Sequence, residues 1–342
     1  MSTDTSDPNA PFGPEDAMAI AQGIRTELGK VIVGQADLVH WVMVALLCEG
    51  HVLLEGVPGL GKTALLRTLG NVVRLDFSRV QFTPDLMPAD ILGTQVLLDD
   101  EAGHRQFTFR PGPIFANLVL ADELNRATPK TQSALLEAMQ ERSVTTAGAT
   151  RMLPRPFLVM ATQNPIEMEG TYPLPEAQLD RFLLKLVVPF PSAEELVQVV
   201  ERTTGNDTVQ LLPVADSGSL AAAIDLTRQV PVASHLVRHA VDLITATHPD
   251  HPAAPAKVRS YVRYGASPRG AQAIVLGAKA LALLDGRPNV SIDDIRALAV
   301  PALRHRLVTG YEATADGVTT DAVIAEVLDA VPTPTSGVRG AP

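Results

Sequence analysis

From residue 14 to residue 190 the chain alternates two patterns: short continuous apolar runs, and longer stretches in which apolar residues recur every three or four positions. The first reads as a strand buried on both faces and the second as an amphipathic helix, so their alternation predicts an α/β layer on a parallel sheet. The strands predicted in this way are 51–55, 72–77, 117–121, 157–162 and 183–188. After Pro189-Phe190-Pro191 only the helical period continues, opened by Ser192-Ala193-Glu194-Glu195 as a capping box. A smaller, all-helical domain is therefore expected over 191–331, behind an α/β core over 13–190. The ends, 1–12 and 332–342, carry Pro and small polar residues with little to bury, and are expected to be disordered.

Two segments break the α/β rhythm. Residues 94–109 and 142–155 each read as two short strands about a polar turn, Asp99-Asp100-Glu101-Ala102-Gly103 in the first and Ala147-Gly148-Ala149 in the second. Both are predicted to be hairpins inserted into the core.

The first chemistry lies between the strand at 51–55 and the helix that follows it. Gly56-Val57-Pro58-Gly59-Leu60-Gly61-Lys62-Thr63 is a complete G-x-x-x-x-G-K-T phosphate loop, running into Ala64 and the helix. Glycines let the backbone wrap closely enough to aim several N–H groups at a phosphate, at a helix N-terminus already favourable to anions. Lys62 is placed to reach the β/γ-phosphates, and Thr63 to hold Mg²⁺ through its hydroxyl.

Composition narrows the setting. The chain has 342 residues, room for roughly two domains, a formal net charge of −10, and Lys and Arg scattered rather than gathered into a run. Nucleic acid is accordingly not expected as a partner, and with aromatics at 4% there is no aromatic–basic interleaving to stack bases. No apolar run reaches the roughly 18–20 residues of a membrane span, and the polar, acidic start lacks the regions of a signal peptide. A cytoplasmic protein is expected, in keeping with a single cysteine, Cys48, inside an apolar run. His235 and His239, and His248 and His251, have metal-ligand spacing, but neither pair has an accompanying acid or cysteine in a metal-binding pattern.

A phosphate loop binds nucleotide but does not by itself hydrolyse it. The strand at 117–121 ends in Asp122-Glu123, where the first acid can support a Mg²⁺ shell and the second can accept a proton from an attacking water. The strand at 157–162 leads into Gln163-Asn164-Pro165, and Asn164 there can hold that water by hydrogen bonding without competing for its proton.

The order and identity of these pieces resemble the AAA+ superfamily, and within it the MoxR family of AAA+ ATPases. The resemblance covers about residues 14–310 and rests on Val33-Gly34-Gln35, the phosphate loop, Asp122-Glu123-Leu124-Asn125-Arg126-Ala127, Gln132 to Met139, Ala161 to Pro165, and Leu174 to Phe182. It implies an αβα parallel-sheet nucleotide-binding core with inserted β-hairpins, followed by a helical lid, and ATP with Mg²⁺ as cofactors. By resemblance the loop is Walker A, Asp122 and Glu123 are Walker B, Asn164 is sensor 1, and Val33 and Gly34 line the adenine pocket. The hairpins resemble the helix-2 and pre-sensor-1 inserts, which typically face a ring pore. Arg181 resembles the arginine finger supplied by a neighbouring protomer, with Arg126 a second candidate for contacting an adjacent subunit. Ser267-Pro268 forms a helix start on its own terms, and the resemblance adds that Arg269 stands at sensor 2, reaching from the lid to the nucleotide phosphates.

The family reading is a homo-oligomeric, hexameric ring whose ATP hydrolysis remodels or assembles a protein substrate, the usual partner being a von Willebrand factor A domain protein and metal insertion one possible task. Two other classes stand beside it: a DNA-directed motor, which shares the inserts, and a nucleotide-regulated scaffold with little turnover. The hairpins carry Asp99, Asp100 and Glu101 against His104 and Arg105 in one, and Arg142, Arg151 and Arg155 in the other, a balance that favours neither sign.

Overall fold

A computed structural model describes residues 12–57, 59–99, 104–164, 170–205 and 209–334. Pro58, Asp100, Glu101 and the terminal segments 1–11 and 335–342 lie outside the described residues. Phe12, expected to be disordered, instead packs against the core.

Five strands form one parallel sheet: β1 (Val52–Glu55), β2 (Phe77–Gln81), β3 (Leu118–Asp122), β4 (Leu158–Gln163) and β5 (Leu184–Val187), in the spatial order β2-β3-β4-β1-β5. Alternation decides which face each residue serves. Val52, Leu54, Leu118, Leu120, Leu158 and Met160 join one buried cluster, and Leu53, Val119, Ala121, Val159 and Ala161 the other. All five strands end on the same side, so the carboxyl ends of β1, β3 and β4 converge on one crevice, the usual ligand position of an open parallel sheet.

Four strands fall within a residue or so of their expected bounds, and one does not. The run 72–77 is not a strand: Val72 closes the helix Lys62–Val72, Arg74 takes a left-handed turn (φ 47°), and the backbone N–H of Leu75 donates to the carbonyl of Gly70 at 2.9 Å. Its apolar residues are those of a buried helix end. The true strand, Phe77–Gln81, has one neighbour only, so just Val80 is buried and the apolar signal is weak.

The first insert pairs Gly93–Asp99 with Arg105–Pro111, and the second pairs Ser143–Thr146 with Ala149–Met152 through the left-handed pair Ala147 (φ 50°) and Gly148 (φ 76°). They touch: the guanidinium of Arg151 lies 3.9 Å from the ring centroid of Phe109.

Among the described residues beyond Pro191 the regular structure is helical apart from a short antiparallel ladder, Val262–Tyr264 with Val308–Thr309, which corrects the expectation of helices alone. The first of its helices, Ala193–Thr204, carries the expected box, with Ser192 Oγ accepting from the N–H of Glu195 at 3.2 Å and the Glu195 carboxylate from the N–H of Ser192 at 2.7 Å. The lid helix Pro268–Leu284 buries Ile274, Ala278 and Leu281 in the same cluster as Ile24 and Leu28 of Pro14–Gly29 and Val42 and Leu46 of Ala36–Leu47. Lid and sheet layer thus share one apolar core.

His51 fastens that layer from within. Its Nδ1 accepts from the N–H of Val159 and its Nε2 donates to the carbonyl of Met139, each at 3.0 Å, which fixes one neutral tautomer. Burial pushes its pKa down to about 4.

Candidate functional site: a phosphate-loop cavity and an arginine cleft

The turn from β1 into the helix Lys62–Val72 depends on glycine for two reasons. Gly59 and Gly61 sit in the left-handed region (φ 85° and 72°), while a Cβ on Gly56 would lie 3.0 Å from the carbonyl oxygen of Val188. Lys62 Nζ donates to the carbonyl of Gly56 at 2.9 Å, and burial draws its pKa down against the opposing pull of Asp122 and Glu123.

A cavity of about 440 Å³ opens over this loop. It is lined by Gly56, Gly59, Leu60, Gly61, Lys62, Thr63 and Ala64 on one side, and by Asp122, Glu123 and Asn164 from the ends of β3 and β4 on the other. Asn164 is buried there, at 9% exposure. The loop's glycines, Lys62 and Thr63, both acids and Asn164 are therefore gathered in one place.

Four further residues line the cavity that were not among the expected site residues, Arg79, Gln81, Thr162 and Gln163. Thr162, buried at 2% exposure, accepts from the N–H of Glu123 at 2.8 Å and donates to Asp122 Oδ1 at 2.7 Å. Its bond to Glu123 supports a residue in the left-handed conformation (φ 57°). Arg79 donates to Asp122 Oδ2 through Nε at 3.2 Å and Nη2 at 2.7 Å, and Gln81 Nε2 donates to Glu123 Oε2 at 2.7 Å. The two β2 residues were hidden by the misplaced strand; Thr162 was legible as a polar side chain two positions before Asn164, hence on the same face of β4.

The residues expected to line an adenine pocket lie next door. Val33 and Gly34 line a cleft of about 480 Å³ with Trp41, Phe190 and Pro191 among others. Gly34 is left-handed (φ 69°) and faces the Glu195 carboxylate so closely that a Cβ would collide with it. Gln35 ties this cleft to the phosphate loop by donating to the carbonyl of Leu60 at 2.7 Å.

The cavity fits a nucleoside triphosphate: a left-handed glycine cradle, a lysine inside the loop, and an adjoining cleft with an aromatic wall. Among the described residues no group of three or more His, Cys, Asp or Glu is placed to cage an ion. One acid and one hydroxyl, Asp122 and Thr63, instead suit a Mg²⁺ that takes its remaining ligands from phosphate and water.

Arg181 and Arg269 lie elsewhere. Arg181 lines a separate cleft of about 290 Å³ with Arg142, Arg228, Arg269 and Arg306, and this cleft shares no lining residue with the phosphate-loop cavity. Arg181 donates to the carbonyl of Leu136 at 2.9 Å. Arg269 pairs with Asp180 at 3.6 Å, beside Ser267, whose hydroxyl also donates to Asp180 and caps the helix. Arg269 therefore does not line the cavity over its own chain's phosphate loop but lies at the Arg181 cleft beside Asp180. Arg126, by contrast, contacts a residue of the phosphate-loop cavity, donating to Glu123 Oε2 at 2.8 Å.

Residues 51–184 match the family described as ATPases associated with various cellular activities (AAA), and residues 255–327 the AAA lid domain. Chaperone MoxR1 of Mycobacterium tuberculosis is 46% identical over 308 residues, spanning 90% of this chain and 81% of that protein. The protein YeaC of Bacillus subtilis is 44% identical over 308 residues, with 90% and 92% covered. The crystal structure of a candidate ATPase from Cytophaga hutchinsonii superimposes with a TM-score of 0.88 at 38% identity, covering 94% of this chain and 98% of that one.

Proposed function

Because the chain belongs to the MoxR family of AAA ATPases, we propose that it couples ATP hydrolysis to chaperone-like remodelling, with each catalytic site shared between two copies in a ring. The observation that carries this reading is the division of the functional residues between two places. The loop, both acids and Asn164 meet in one cavity, whereas Arg181 and Arg269 face a cleft that shares no residue with it.

In this reading the loop N–H groups and Lys62 hold the phosphates, and Thr63 and Asp122 hold Mg²⁺. When bound, Mg²⁺ neutralises charge on the β- and γ-phosphate oxygens. Glu123 takes the proton of the attacking water and Asn164 orients that water. Arg181 of the neighbouring copy stabilises charge developing on the transferred phosphoryl group, a contribution of about 10³–10⁵ in rate in comparable enzymes. Arg269, on the same cleft, serves that same neighbouring nucleotide. Among the described residues no helix is long and apolar enough to cross a membrane. A hexameric ring working in the cytoplasm completes the reading.

The partner we propose is a von Willebrand factor A domain protein, with assembly or metal insertion as the task. Sedimentation with steady-state phosphate release tests the shared site: a strictly monomeric preparation is expected to bind ATP yet turn it over far more slowly than the assembled form, and equal rates refute the reading. Glu123→Gln is expected to trap ATP on the assembly and to retain the partner in a pull-down; unchanged turnover in this variant removes Glu123 as the base.

A further inference from the structure

The two acids at the end of β3 are joined by an unbroken chain of hydrogen bonds through β2. Arg79 holds Asp122 Oδ2 through Nε and Nη2, and the same Nη2 donates to Gln81 Oε1 at 2.7 Å. Gln81 Nε2 in turn holds Glu123 Oε2 at 2.7 Å. An amide whose oxygen accepts from a guanidinium presents its NH₂ at the other end, so Arg79 sets which way Gln81 faces. Arg79 thus neutralises one acid and orients one of two side-chain donors on the other, the second being Arg126 Nη1 at 2.8 Å.

The partners on Asp122 differ in their freedom to leave. Thr162, on Oδ1, is buried, whereas the Arg79 side chain is 46% exposed and can swing into water. A guanidinium and a divalent cation on the same carboxylate repel each other, so Asp122 cannot keep Arg79 in place while serving a metal.

We propose that Arg79 is a resting-state counter-ion of Asp122, displaced when this carboxylate turns to Mg²⁺, and that its departure loosens Gln81 while Arg126 still donates to Glu123 Oε2. The proposal rests on the reading above that Asp122 serves the metal and Glu123 is the base. Its consequence is that Arg79 and Asp122 part only where a metal-loaded nucleotide is in place. Arg79 is in this scheme a positioning residue.

The test uses the full chain loaded with ADP, with Mn²⁺ as the probe and the electron paramagnetic resonance signal of the free ion as the readout. Arg79→Ala is expected to lower the Mn²⁺ half-saturation concentration about two- to tenfold, the range of a half-exposed ion pair, with ADP affinity in EDTA unchanged. Gln81→Ala should leave Mn²⁺ binding as in the parent, and adding Asp122→Asn to Arg79→Ala should cancel the gain. In basal turnover the Arg79→Ala, Gln81→Ala double variant should match Gln81→Ala alone. An unchanged or raised half-saturation in Arg79→Ala overturns the proposal, as does additivity in turnover. If Asp122→Asn by itself leaves Mn²⁺ binding untouched, the assignment of Asp122 to the metal fails, and the proposal falls with it for that separate reason. Arg79→Gln, which keeps a donor but no charge, serves should the alanine variant not fold.

Discussion

Thr162→Val removes one hydroxyl from the centre of the site and nothing else of comparable size. That hydroxyl accepts from the N–H of Glu123 at 2.8 Å and donates to Asp122 Oδ1 at 2.7 Å, at a position only 2% exposed. A donor left unpaired in such surroundings costs about 1–3 kcal/mol, and a bond to a charged acceptor contributes about 1.5–3 kcal/mol. The two effects overlap and valine recovers some apolar burial, so the expected loss of stability is about 2 kcal/mol, read as a lower urea midpoint at unchanged slope. The catalytic loss has its own origin. Glu123 holds a left-handed conformation (φ 57°) that costs about 1 kcal/mol and is supported by this bond. Releasing it lets the carboxylate leave the position proposed for it against the attacking water, and at 1.36 kcal/mol per decade a loss of about 1 kcal/mol lowers kcat by roughly fivefold. Steady-state phosphate release at saturating MgATP measures this, with nucleotide affinity in EDTA expected to hold because the loop itself is untouched. Thr162→Ser retains the hydroxyl and should restore kcat. A kcat within twofold of the parent, or no recovery with serine, refutes the argument that this hydroxyl positions the base.

Mixing Lys62→Ala protomers with Arg181→Ala protomers should restore part of the turnover that each lacks alone, since a site with an intact loop then receives its arginine from the other variant. Additive inactivity in rings shown to be mixed would return Arg181 to its own chain. His51, whose pKa burial lowers from the ordinary 6.5 to about 4, takes its proton first in the unfolded chain. Its contribution is thus fully present above about pH 6.5 and lost as pH falls toward 4. Between about pH 7 and 5 the loss is about 2 kcal/mol, and His51→Gln should flatten the pH dependence of the denaturation midpoint by that amount. His239 and His305 are shifted downward by the same cause, burial, so the variant-to-parent difference isolates His51.

How much of this was legible beforehand follows from the range over which each signal acts. The phosphate loop is contiguous, and its conformation follows from glycines within a few residues, so Gly59, Gly61 and Lys62 could be placed from sequence. β3 and β4 announce themselves by continuous apolar runs because both have neighbours on either side and bury both faces. β2 has one neighbour, and the apolar run near it belongs to the buried end of the preceding helix. The error had a consequence in the site, since Arg79 and Gln81 fell outside any expected strand end and their contacts to Asp122 and Glu123 went unseen.

The arginines mark the other boundary of sequence reasoning. Motif and resemblance marked Arg181, Arg269 and Arg126 as functional, but which loop each one serves is a question of distance across the fold. The shared apolar core of the lid and the N-terminal helices fixes where Arg269 emerges, beside Asp180 and Arg181 and away from the lining of its own chain's phosphate cavity. What the sequence determined by itself was the local chemistry: a loop whose backbone needs glycine, acids at a strand end, and an amide at the tip of an apolar strand. Tertiary structure alone decided the pairings, Arg79 with Asp122 and Gln81 with Glu123 across 43 and 42 positions of sequence. Such pairings follow from sheet order and register, which are set by the burial of whole faces.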